Sequence, residues 1–117
     1  MSSFAKFAYG TTAASYALAN VTAGQTDASV VAAVAGEKIR VLACAFVTGA
    51  TATNATFNTK PAGAGTAITP AFQNAANGGA ILPFNPVGWF ETNVGEGLSL
   101  TTGAGSTTGV QVVYVSH

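Results

Sequence analysis

Few side chains in this sequence could do chemistry. The acidic residues are Asp27, Glu37, Glu91 and Glu96, the only cysteine is Cys44, and the only histidine, His117, is the last residue. Glu91 and Glu96 are the one pair spaced for acid–base work. They flank Thr92-Asn-Val-Gly95, which reads as a hairpin turn, so two solvated turn carboxylates are expected there. His117 falls at a chain end, where side chains are usually mobile, and no second histidine can complete a metal cluster. Cys44 lies among Leu42, Ala43, Ala45 and Phe46 and is expected to behave as a small buried hydrophobe. The glycine-rich Ala62-Gly-Ala-Gly65 lacks the Lys-Ser/Thr and the helix of a phosphate loop. These residues predict no enzyme, no cofactor and no metal site.

Composition narrows the partners. Charged residues make up 7% of the 117 positions, four basic and four acidic, against about a quarter in an average domain. Lys6, Lys38, Arg40 and Lys60 are scattered, which argues against nucleic acid and against an anionic membrane surface. No apolar run approaches the roughly 18 residues of a membrane span. The Asn20-Val-Thr22 and Asn54-Ala-Thr56 triplets match the glycosylation pattern but are expected by chance in so Thr-rich a chain.

The elements that must position these residues read as strands. Lys38–Val47 and Gly109–Val115 are the strongest candidates, followed by 16–21, 29–34, 53–59, 66–69, 79–82 and 98–102. Pro61–Gly65, Asn77–Gly79, Gly95–Gly97 and Gly103–Gly105 separate them as turns. About eight short strands at this spacing predict an all-β chain: an antiparallel β-sandwich, jelly-roll-like. Residues 28–117 are expected to form its single-domain body. Residues 1–27 are expected to be an N-terminal arm or an edge strand.

Strict alternation along Lys38–Val47 sets Ile39, Val41, Ala43, Ala45 and Val47 on one face and Leu42, Cys44 and Phe46 on the other. Both faces are then apolar in the middle, which suggests a subunit interface through Leu42 and Phe46. Ile81–Phe90 gathers Phe84, Trp89 and Phe90 with Pro83 and Pro86. Trp89 and Phe90 are expected to anchor the core, with an aromatic gripping patch as the competing reading. Phe4, Phe7 and Tyr9 are candidate anchors of an arm that adds to a neighbour.

Three stretches, Ala33–Leu42, Asn77–Thr92 and Gly95–Leu100, resemble the small β-sandwich cement, or head decoration, proteins of tailed bacteriophages. The likeness extends over roughly residues 30–115 and rests on composition and turns. The resemblance implies a homotrimer on the capsid surface of the virion, made in the host cytoplasm, with the major capsid protein as partner. A phage tail or fibre component that binds a host receptor or glycan is the alternative.

Overall fold

The computed structural model describes residues 13–117, which contain ten strands and no helix. In chain order they are β1 (Ser15–Val21), β2 (Ala28–Val31), β3 (Ile39–Thr48), β4 (Thr53–Lys60), β5 (Thr66–Ala67), β6 (Phe72–Asn74), β7 (Gly79–Leu82), β8 (Phe90–Glu91), β9 (Gly97–Thr102) and β10 (Thr108–Ser116). They form two five-stranded antiparallel sheets. One runs β1-β10-β3-β7 with β8 also on β3, and the other runs β2-β9-β4-β5 with β6 also on β4. Counting β5 and β6 as one broken strand, with β8 a short side pairing, this is the strand order of a jelly roll. The sandwich is as expected. Of its ten strands, eight have three or more residues, and β5 and β8 have two each.

Burial between the sheets holds the fold together. The first sheet contributes Ile39, Val41, Cys44, Phe46, Val110 and Val112; the second contributes Val31, Ala55, Phe57, Leu98 and Leu100. Phe57 is at the centre, with Phe90 at 4.8 Å, Phe46 at 6.2 Å and Phe72 at 6.5 Å between ring centroids. Fully burying each such ring contributes about 1.5–3 kcal/mol. Phe90, like Phe72, is partly buried and packs against this cluster, gaining part of that. Trp89 does not anchor the core as expected: it is 43% exposed, and its Nε1 donates to the Pro83 carbonyl at 2.7 Å.

The alternation expected along Lys38–Val47 breaks at Leu42. Val113 pairs with Ala43 but Tyr114 pairs with Val41, so Leu42 is an extra residue on β3. Such a bulge reverses which side the following residues face. Ile39 and Val41 before it, and Cys44 and Phe46 after it, all point into the core, while Ala43, Ala45 and Val47 point out. The two-sided apolar strand is thus one core face that changes parity. Leu42 (2% exposed) and Phe46 (4%) are buried within the chain, so neither lines a subunit interface as expected.

The proposed boundary at residue 27 also moves. Ser15–Val21 is an integral edge strand, paired along its whole length with β10 from Ser15↔Tyr114 to Val21↔Thr108. Phe4, Phe7 and Tyr9 lie outside the described residues.

Candidate functional site

The two outer faces of the sandwich are built differently. On the second sheet, Asp27 gathers the surface. Its Oδ1 accepts from Asn58 Nδ2 and Ser99 Oγ, both at 3.1 Å, and its Oδ2 accepts from the Gly65 amide at 2.9 Å. Thr101 Oγ1 accepts from Asn58 Nδ2 at 2.9 Å and from the Asp27 amide at 3.1 Å. These bonds tie β2, β4, β9 and the Pro61–Gly65 turn together and bury Asn58 and Ser99. Asp27 has φ 55°, a left-handed conformation that Asp tolerates better than most residues. Sequence reasoning missed this hub; the one signal was a lone acidic residue at a strand entrance.

Among the described residues, the first sheet has no such polar hub on its outer face. Its register aligns four outward residues in one row across four strands, Leu18↔Gln111↔Ala45↔Ile81. Tyr16 lies two residues along β1, and Val47 two residues along β3. Ile81 is 78% exposed, Tyr16 68%, Leu18 66% and Val47 54%. Leu18 on β1 and Ile81 on β7 stand at the two sides, with Gln111 and Ala45 on the two strands between. The result is a shallow trough of about 390 Å³ bounded by Leu18 and Ile81, continuing toward Pro83. Three interstrand spacings put its rims about 14 Å apart. None of the six residues named is charged, and Gln111 supplies the amide at the centre. Contiguous exposed apolar surface of this kind marks interaction sites.

β1 adds a second feature. It is a seven-residue edge strand, Ser-Tyr-Ala-Leu-Ala-Asn-Val, without Lys, Glu or Pro. Those are the residues that usually guard an open edge against pairing.

Both glutamates of the sequence pair make contacts within the fold. Glu91 is no solvated turn carboxylate: Arg40 Nε donates to its Oε1 at 2.6 Å, His117 Nε2 lies 2.9 Å from the same oxygen, and Lys38 Nζ lies 3.4 Å from Oε2. Burial alone would raise this carboxyl. Hydrogen bonds from Arg40 and His117, with the charges of Arg40 and Lys38, outweigh burial and hold it at about 2. Arg40 Nη1 also donates to the Val87 carbonyl at 2.9 Å. Its side chain passes so close to Gly88 (φ +95°) that a Cβ there would strike Arg40 Cγ and Cδ.

His117 is not a loose end. It exchanges both backbone hydrogen bonds with Lys38. Glu96 is likewise engaged: its Oε1 accepts from Thr59 Oγ1 at 2.7 Å and from Asn93 Nδ2 at 3.4 Å. The two glutamates thus serve separate contacts, one on each sheet. Cys44 points into the core, where burial pushes its thiol up to about 12. Among the described residues no cluster of His, Cys, Asp or Glu could hold a metal. Phe84 and Trp89 are 44% and 43% exposed.

No family model, no curated protein and no solved structure matches this chain.

Proposed function

We propose that the protein is a non-catalytic structural subunit of a phage virion, a capsid cement protein that sits on the outer shell as a homotrimer and stabilises the head. The observation that supports this reading most is the uncharged trough on the first sheet beside the unguarded edge of β1. A freely dispersed domain with 7% charge and such a face is prone to associate. An assembly subunit puts both features to use. Jelly rolls recur in viral capsid proteins and in lectins, which makes the fold compatible with this role by analogy alone. Stabilisation is additive: apolar burial at about 25 cal/mol per Å², repeated at every copy over a shell, opposes expansion from within.

One observation favours a second reading, a tail or fibre component that binds a host glycan. Trp89 and Val87 are exposed beside Arg40, in a shallow depression that also includes Glu91. An aromatic face next to charged hydrogen-bonding groups suits a sugar ring.

Electron microscopy of virions decorated with gold-labelled antibody against the protein separates the two. Label distributed over the head is expected. Label confined to the tail tip would replace the first reading with the second, and unlabelled virions would remove both.

A further inference from the structure

We propose that Asn77 is a site of spontaneous deamidation, and that its isoaspartyl product releases β7 from the first sheet and takes the trough apart. The inference is independent of the assembly reading and rests on the turn that joins β6 to β7.

The sequence contains seven asparagines, and Asn77 alone precedes a glycine. Glycine has no Cβ to hinder its own amide nitrogen, so Gly78 is the residue best disposed to react with the side chain before it. The structure sets Asn77 apart in a second way. Asn58 and Asn74 are buried and donate from Nδ2 to neighbouring side chains. Asn85 Oδ1 accepts from the Val87 amide, and Asn93 Nδ2 donates to Glu96. Asn77 is exposed, and among the described residues no hydrogen bond holds its carboxamide.

The chemistry needs only water and hydroxide. Hydroxide removes the Gly78 amide proton, and the nitrogen attacks Asn77 Cγ. A C–N bond forms, ammonia leaves, and a cyclic succinimide results. Water then opens the ring. Addition at the side-chain carbonyl gives aspartate. Addition at the main-chain carbonyl gives isoaspartate, in which the chain runs through Cβ and Cγ.

The fold holds this reaction back. The Gly78 amide donates to the Ala75 carbonyl at 2.8 Å, closing a turn in which Asn77 takes the third position at φ 57°. A positive φ there suits Asn and Gly. The nitrogen is engaged until the turn opens, so deamidation proceeds through local opening.

The two products then diverge. Aspartate keeps the native backbone, and Asp27 at φ 55° is a precedent for it in this chain. Isoaspartate inserts a carbon into the main chain ahead of Gly78, where nothing can absorb it. The buried Thr48 donates its amide to the Gly78 carbonyl, and the Asn77 amide donates to the Gly49 carbonyl, both at 2.7 Å. Gly79 lies against the Phe46 carbonyl with no room for a Cβ. β7 has four residues, and its partner among the described residues is β3, from Val47↔Gly79 to Cys44↔Leu82. The inserted carbon shifts that register, and Ile81 leaves the trough's side with β7.

Ageing the full chain in mildly alkaline buffer, with peptide mapping by mass spectrometry, tests the site. Deamidation is expected at Asn77 ahead of the other six asparagines. In urea that unfolds the chain its rate should rise about tenfold or more, because no turn then has to open. Asn77→Gly keeps the positive φ, removes the carboxamide and should abolish the change while leaving stability near that of the wild type. The aspartyl and isoaspartyl forms are then separated and followed by hydrogen exchange. The Thr48 amide should exchange about tenfold faster or more in the isoaspartyl form, and at the native rate in the aspartyl form.

Deamidation spread evenly over the asparagines would overturn the site. So would a folded chain that stays intact at Asn77 while the unfolded chain reacts there, since the turn then does not open. An isoaspartyl form that protects the Thr48 amide as well as the native chain does would overturn the release of β7.

Discussion

Lys38 and His117 exchange both of their backbone hydrogen bonds, at 2.8 and 3.0 Å, just ahead of β3 and just after β10. This pairing holds the His117 ring over Glu91 and completes a cluster in which one carboxylate meets Arg40, Lys38 and His117.

Glu91 should make stability depend on acid. Its carboxyl titrates at about 2 in the folded chain against an ordinary value of 4.5. The folded state therefore binds fewer protons than the unfolded state between those values. The stabilisation is complete above about pH 4.5 and is lost as pH falls toward 2. The cluster is partly open to solvent, so Glu91→Gln should lower stability by only about 1 kcal/mol at pH 7. Urea melts at pH 7 and pH 3 check this: the difference between wild type and variant should shrink at the lower pH.

Leu42→Lys should unfold the chain. Leu42 is the extra residue of the β3 bulge and is buried. A lysine there must desolvate its charge or pull the bulge open, at about 3 kcal/mol or more. Thermal melting followed by circular dichroism should show a large drop or no transition. A folded but dissociated variant would restore the interface role expected from the sequence.

Asp27→Ala removes three accepted hydrogen bonds and places alanine at φ 55°. The expected loss is about 2–4 kcal/mol. Asp27→Asn tolerates the same backbone and should lose less. Hydrogen exchange at the Gly65 amide is the local readout, and should accelerate in both variants.

Gly79→Ala should be more damaging than an ordinary surface change. A Cβ at Gly79 would run into the Phe46 carbonyl oxygen across the β3–β7 pairing. The clash is with backbone, so β7 must move away, at an expected 2 kcal/mol or more. Since β7 carries Ile81, displacement of the Ile81 methyl signals in an NMR spectrum checks the local shift.

Much of the fold was legible because strand signals are local. Lys38–Val47 and Gly109–Val115 stood out by their β-branched content, and Leu98–Thr102 and Gly79–Leu82 by the turns beside them. Phe72–Asn74 and Phe90–Glu91 went unread because strands of three and two residues have no periodicity to detect. The bulge at Leu42 was invisible for a different reason. Every residue around it is apolar, so a change of parity leaves no mark on the pattern. That is why Phe46 was expected at a surface and lies in the core. The trough was equally hidden. Leu18, Gln111, Ala45 and Ile81 are dispersed over 94 positions of sequence, and only strand register brings them into one row. The ion cluster at Glu91 also depends on that long-range pairing.

The position of β10 between β1 and β3 has a consequence for synthesis. β1 is made early, yet its strand partner among the described residues spans residues 108–116. A nascent chain therefore holds β1, with Tyr16 and Leu18, as an unpaired neutral segment while most of the polypeptide is translated. Closing so long a loop is entropically slow, and open strands in the meantime invite pairing with other chains. Yield in the cell should accordingly be limited by aggregation before completion of β10, and improve at low temperature or with chaperones that shield β1 until then.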